Sequence, residues 1–232
     1  MTGTPRARAR EQTLADITRI GREHLARDGA AALSLRAVAR DLGVVSSAVY
    51  RYVKSRDELL TLLVVEGYTE LGDAVAAALD AAPADDPTAR FRALGHAVRD
   101  WALQEKACYG LLFGSPVPGY RAPAERTTGP GTRVVNALVA LIGEAHSAGR
   151  LRPVADPATT APLRANVDAI RAELGVDLPD EVLLRGVLVW SSLFGAVNFE
   201  VFGQYGPDTF TDPRALFEHQ LSVLAEVVGL AG

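Results

Sequence analysis

The sequence predicts an all-α protein, on three observations. Alanine, leucine and arginine dominate, and apolar residues recur with a 3.6-residue period along almost the whole chain. No segment shows the strict alternation of a half-buried strand, and no internal repeat is present. Hydrophobic residues make up 48% of 232 positions, enough for a small domain joined to a larger one with its own core.

The first helix is expected from about Ala9 to Arg27, with Leu14, Ile17, Gly21 and Leu25 on one face. Asp28-Gly29 ends it, glycine being the usual residue just past a helix. Ser34 stands where an N-cap belongs, and Leu35 to Leu42 forms a short second helix. Gly43 turns the chain into a short third helix, Ser46 to Tyr52. Ser55 then caps a long fourth helix, with Asp57 and Glu58 near its positive end. No proline interrupts that helix before Pro83, so it could extend roughly 35 Å. The segment 81–87, AAPADDP, reads as a linker.

Beyond it, Phe91, Leu94, Val98, Trp101, Cys108 and Leu112 form one stripe, with a break near Lys106. Residues 114–131 hold four prolines and four glycines and read as an irregular loop. Further helices are expected at Thr132–Ala148, Pro157–Leu174, Asp180–Gly203 and Asp212–Val228. The last carries two apolar stripes: Phe217, Leu221, Leu224 and Val228 on one, Leu216, Val223 and Val227 on the other. A terminal helix with two apolar faces points to a second packing partner, another subunit. The expected division is a domain at 1–56 and a larger helical domain at 57–232.

Charge is distributed unevenly. Residues 1–60 carry eleven basic against seven acidic side chains, while the remainder carries 13 against 21. That split suggests a basic, DNA-facing module on an acidic body, although chance variation gives the same arithmetic. Cys108 is the only cysteine, so no intrachain disulfide forms and a reducing compartment is expected. The start, MTGTPRARAR, leads into no apolar run and is not a signal peptide. The longest apolar stretch, Gly186 to Phe199, is shorter than the ~20 residues that span a bilayer. The expected location is the cytoplasm, with no membrane partner.

Residues 34–60, SLRAVARDLGVVSSAVYRYVKSRDELL, carry the functional signal. Two short helices joined by a glycine turn match a helix-turn-helix, whose second helix enters the major groove of double-stranded DNA. Leu35, Val38, Leu42, Val44, Val49 and Val53 can close a small core against the first helix. Ser46, Ser47, Ala48, Tyr50, Arg51 and Tyr52 are left facing outward. Tyrosine hydroxyls beside Lys54 and Arg56 suit phosphate contacts.

Residues 10–65 resemble the DNA-binding domain of the TetR family of transcriptional regulators. The resemblance lies in Val38-Ala39, Gly43-Val44, Tyr50-Arg51-Tyr52 and Arg56-Asp57-Glu58-Leu59-Leu60. It implies that Ser46, Ser47 and Ala48 face bases, that Tyr50, Tyr52, Lys54 and Arg56 contact phosphates, and that Ser34 and Arg36 make contacts near the second helix. Val45 departs from the family's capping Ser, which moves the expected cap to Ser46. The segments FGSPVPGY and VWSSLFGAVNFEVFG resemble a subgroup with a Trp-x-x-x-His-Gly motif; Trp190 and Gly195 match, and Phe194 replaces the His. The family habit implies a homodimeric repressor that binds an inverted-repeat operator and is released by a small-molecule effector.

For that effector the expected lining is Trp101, Tyr109, Phe113, Trp190, Phe194 and Asn198, drawn from an aromatic group that also includes Phe91 and Phe199. Aromatics at helical spacing equally suit a plain core; Asn198, an amide in an apolar helix, is the more pointed signal. His96 reads as an effector contact or as an ordinary satisfied His. The four His show no ligand spacing with Cys108, and no phosphate-cradling loop or nucleophile elbow occurs, so no metal, cofactor or catalytic residue is expected. Cys108 is an inert buried thiol or a redox sensor. Arg6, Arg8 and Arg10 form either a solvated end or a minor-groove arm. The rival class is an all-α ligand-binding protein or enzyme with an incidentally basic N-terminus.

Overall fold

A computed structural model describes residues 4–155 and 157–230; the regular structure among them is all helical, with no strand. They form two compact units. The first comprises residues up to Glu70 together with Gln104–Gly131; the second comprises Leu71–Leu103 and the chain from Thr132 onward.

In the first unit, α1 spans Pro5–Asp28, four residues longer at its start than the periodicity indicated. Thr4 caps it, accepting from the Ala7 amide at 3.3 Å, and Pro5 occupies the first turn, where its missing N–H costs nothing. Arg6, Arg8 and Arg10 therefore lie on an ordered helix and are neither a loose end nor an extended arm. Capping and proline chemistry, which apolar periodicity does not register, extend this helix.

A 3-10 turn, Ala30–Ala32, leads to α2 (Leu35–Asp41) and α3 (Ser46–Tyr50). The turn between them closes with Val44 N–H donating to the Ala39 carbonyl and Gly43 N–H to that of Arg40, both at 3.0 Å, with Gly43 at φ 70°. That is the paired bonding that ends a helix on a left-handed residue, the conformation glycine adopts without strain. The same geometry swings Val44 outward. It is 45% exposed, so it does not join Leu35, Val38, Val49 and Val53 in the small core, and Leu42 is only partly covered.

Helix α4 spans Arg56–Ala81. Glu58 N–H donates to Ser55 Oγ at 3.1 Å, and the Glu58 carboxylate accepts from the Lys54 amide at 2.6 Å, a reciprocal cap. Leu59 and Leu60 are fully buried. Gly21 of α1 faces Leu59 so closely that an added Cβ would stand 3.2 Å from its Cδ1. Helix α6, Lys106–Phe113, and α7, Ala124–Gly131, complete the unit. The second is a correction, since 114–131 was expected to be loop throughout. Ala124, Glu125 and Arg126 are strong helix formers following Pro123, and Pro130 falls near the end, where few turns remain to disrupt.

The second unit contains α5 (Pro87–Gln104, through Leu103), α8 (Arg133–Ser147), α9 (Ala161–Leu174), α10 (Asp180–Val201) and α11 (Pro213–Val228). Phe91, Leu94, Leu138, Leu141, Val189, Leu193, Phe217 and Leu221 form its core. Phe217, Leu221, Leu224 and Val228 point inward, as their stripe predicted, while Val223 is 45% exposed. At 22 residues, with an 18-residue window of mean hydropathy 1.6, α10 is long and apolar enough to cross a membrane, a profile it shares with core helices of soluble proteins. It is longer than its uncharged stretch because it begins with Asp180 and Glu181 and includes Arg185. It packs here against α8, α9 and α11.

A buried ion pair crosses this unit. Arg99 of α5, under a tenth exposed, forks onto the Glu200 carboxylate of α10, with Nε at 2.7 Å, and stacks 5.6 Å over the Phe217 ring. Removing one member of such a pair strands a charge out of water. Glu200→Ala is expected to cost about 3 kcal/mol of unfolding free energy in urea denaturation, while Arg99→Met with Glu200→Leu retains most of the stability. Equal losses in the single and double variants would show that charge pairing is not what holds α5 to α10.

Candidate nucleic-acid interface

Helix α3 is held from beneath by Val49 and Val53, at 2% and 0% exposure, which fixes its opposite face toward solvent. On that face Ser47, Tyr50 and Arg51 are exposed, and Ser46 and Ala48 are partly covered. Ser46 is the first helical residue and Val45 holds the cap position without a side-chain bond, so Ser46 does not cap the helix. Ser34 occupies the cap position of α2 and likewise makes no side-chain capping bond.

The cations divide into two groups. Arg36, Arg51 and Lys54 are exposed and form no ion pair among the described residues. Arg56 is partly covered and committed elsewhere: its Nη2 donates to the Ala30 carbonyl at 2.9 Å, and its Nη1 lies 3.6 Å from Asp57. The structure thus brings Arg56 to the 3-10 turn after α1, where it fastens that turn to the start of α4. Tyr52 is partly covered, with the Arg10 guanidinium 5.5 Å above its ring. His24 of α1, almost fully buried, bonds through Nε2 to Asp41 at 2.6 Å, and this bond holds the Asp41 carboxyl below its ordinary range.

Sequence reasoning left Arg51 off the phosphate-contacting set, although its outward position was legible. It also missed the pair Val44 and Val45, at 45% and 72% exposure, beside the start of α3. Exposed branched methyls next to small Ser and Ala side chains suit apolar contact with thymine methyls rather than bidentate hydrogen bonding to purines.

Elsewhere in the first unit, Arg22 gathers three carboxylates: it bonds Glu70, bonds Glu105 at 2.8 Å and lies 3.5 Å from Glu66. Burial holds the Glu66 carboxyl above its usual range despite the nearby guanidinium. Tyr109 is fully buried, and its ring packs 5.0 Å from that of Phe113, which meets Tyr68 edge-on at 5.9 Å.

The other expected effector residues belong to the second unit. Trp190 and Phe194 pack at 4.3 Å. Trp101 Nε1 and Asn198 Oδ1 are buried without a hydrogen-bond partner among the described residues, as is His96 Nδ1, while His96 Nε2 pairs with Glu218 at 2.6 Å. Of the six expected lining residues, Trp190 alone lines the apolar cavity between α8, α9 and α10.

A helix-turn-helix with an exposed recognition helix, flanked by unneutralised cations and joined to an all-helical body, defines a transcriptional regulator. The family model for bacterial regulatory proteins of the tetR family matches residues 17–63, and that for the Tetracyclin repressor-like C-terminal domain matches 91–224. The HTH-type transcriptional regulator Rv1816 of Mycobacterium tuberculosis is 47% identical over 220 residues, covering 95% of this chain and 94% of its own. The crystal structure of regulatory protein SCO4313 superposes with a TM-score of 0.78 at 35% identity, over 96% of this chain and all of that one. The TetR-family regulator PfmR of Thermus thermophilus shares the fold, with a TM-score of 0.59 at 17% identity over 90% of this chain and 97% of its own. The chain belongs to the TetR family of transcriptional regulators.

Cys108 is buried, and burial pushes its thiol up to about 11, against the opposing pull of Arg22. At about pH 8 only about one molecule in a thousand would carry the thiolate. Iodoacetamide is therefore expected to label Cys108 far more slowly in the folded protein than in urea. Equal rates in the two states would restore a redox-sensing role.

Proposed function

We propose that this protein is a cytoplasmic, homodimeric repressor that binds an inverted-repeat operator and is released from it by a small-molecule effector. The observation that carries the reading is the surface around α3: Arg36, Arg51 and Lys54, exposed and without an ion pair among the described residues, flank exposed Ser47 and Tyr50. Cations without acidic partners are free to displace counterions from phosphates, and small side chains allow close approach to base edges. DNA reading then belongs to residues 1–56, and effector sensing and dimerisation to 57–232. The buried, unpartnered polar atoms of Trp101 and Asn198 support a ligand that supplies hydrogen bonds, since such groups are ordinarily satisfied.

Dimerisation is supported by a face of α10 and α11. Ser192, Gly195 and Ala196 leave a shallow opening bordered by Phe199 and Val223, each nearly half exposed. Small residues allow a facing helix to approach, and the apolar border would be buried by it. One helix-turn-helix makes too few contacts for tight binding; a twofold pair places two recognition helices about 34–36 Å apart, or a multiple of that, on one side of the duplex.

Gel shifts across a salt series with upstream DNA test the interface. Arg51→Ala and Lys54→Ala, each removing one contact per protomer and two per dimer, should each lower the slope of log affinity against log salt by about 1.8 while weakening all sequences alike. Arg56→Ala should instead lower the thermal midpoint, because its guanidinium is bonded to the Ala30 carbonyl. Unchanged slopes in the first two variants would remove the phosphate role.

Asp at both Val223 and Val227 should split the dimer in light scattering while leaving the protein helical, and abolish the gel shift, since uncompensated charge in an apolar interface costs several kcal/mol. A wild type that is monomeric at about micromolar concentration, or a split variant with full operator affinity, would overturn the assembly.

A further inference from the structure

We infer that the cavity between α8, α9 and α10 is a binding site for a small uncharged hydrocarbon, an aromatic ring or a short alkyl segment. The cavity measures about 110 Å³ and is partly enclosed. Leu138 and Ile142 of α8, Val167 and Ile170 of α9, and Val187 and Trp190 of α10 represent its lining, which is aliphatic apart from Trp190 and contains no charged, amide or hydroxyl side chain.

That chemistry selects the occupant. Water in a protein cavity needs two to four polar partners, and among its side chains this lining offers at most the Trp190 indole N–H, whereas dry apolar cavities of about 150 Å³ take up benzene or xenon. A carboxylate, an amine or a sugar would lose its hydration with nothing in return. Protein interiors otherwise pack as densely as organic crystals, so a void forfeits dispersion contacts along its whole wall.

Two features bear on whether the space is a packing defect. Gly186 lines the cavity from within α10, although glycine is disfavoured in a helix interior relative to alanine. An added Cβ there would meet only Ile142 Cδ1, at 3.6 Å, an ordinary contact. Packing does not demand the glycine; its effect is to leave room. Entry is also provided for, because Val187 and Ile170 are 51% and 37% exposed at the rim. Trp190 is held by its contact with Phe194, so one wall is a fixed aromatic face.

The site stands on this geometry; any effect on the operator rests on the effector reading above. The probes are toluene and its charged counterpart benzoate, added to the full-length protein. Toluene should perturb the fluorescence that Trp190→Phe removes and raise the thermal midpoint with the logarithm of its concentration; benzoate should do neither. Val139→Phe, which fills the cavity, should weaken toluene binding by about tenfold or more. Leu174→Ala, at a partly exposed position, should shift preference toward naphthalene, and keeps the test open if the filled variant misfolds. Toluene without effect on either signal, benzoate binding as tightly, or neither substitution altering the affinities would overturn the site. Toluene affinity that falls as protein concentration rises would also overturn it, by assigning the cavity to a second copy. Binding that leaves the gel shift unchanged supports the site and removes only this cavity's part in the effector reading.

Discussion

A five-residue helix has no stability of its own, because nucleating a helix fixes several residues before any hydrogen bond is returned. The surface proposed to face DNA is nevertheless built on α3, which is only that long. Its existence depends on burying Val49 and Val53 and on packing against α2. The Gly21–Leu59 approach lets α1 and α4 close together, and the bonds His24–Asp41 and Arg56–Ala30 fasten α2 and the preceding turn to the same frame. What α3 presents to solvent is thus set by contacts made on the opposite side of the domain. The polar residues there are free to be chosen for recognition because none of them is needed for packing.

The Arg22 cluster shows a different use of charge. One guanidinium faces three carboxylates, so the group is net negative, and burial makes the excess expensive enough that the Glu66 carboxyl is held above its ordinary range. Arg22 sits on α1, Glu66 and Glu70 on α4, and Glu105 immediately before α6. The guanidinium ties three segments that are distant in sequence, and it also presses down on the Cys108 thiol, although burial prevails there. An arrangement with more acid than base is sensitive to displacement of any one arm; Arg99 of the second unit faces two carboxylates, forking onto Glu200 and reaching Asp100 at 3.3 Å.

Much of this was legible because helices announce themselves by period and punctuation. Gly29, Gly43, Ser55 and the break before Lys106 marked real boundaries, and the stripe Phe217, Leu221, Leu224 and Val228 turned inward as its spacing required. The failures share a cause: each depended on a local detail that overrides the pattern. Val44 fits the apolar pattern, but a left-handed glycine before it rotates it outward. The bond from the Arg56 guanidinium to a carbonyl 26 residues away was likewise invisible to local spacing. The Pro130 segment reads as a breaker, but a proline near the end of a short helix has little left to break. The expected effector residues were five aromatics and one amide; Tyr109 and Phe113 fall in one unit and Trp101, Trp190, Phe194 and Asn198 in the other, a division that helical spacing does not encode.

Phe194 makes that last point concrete. It stands where the resembled subgroup has a His, and it is 7% exposed with its ring packed 4.3 Å from that of Trp190. An imidazole there would need a partner for each ring nitrogen once buried, whereas a phenyl ring needs none. The replacement therefore converts a position capable of proton exchange or hydrogen bonding into one that only packs. Trp190, freed of a polar neighbour at that position, becomes a fixed aromatic wall, and the cavity it lines carries no charged, amide or hydroxyl side chain. Whatever chemical selectivity this part of α10 has must then come from shape and from the exclusion of charge, while a buried amide without a partner among the described residues lies one turn beyond Phe194, at Asn198.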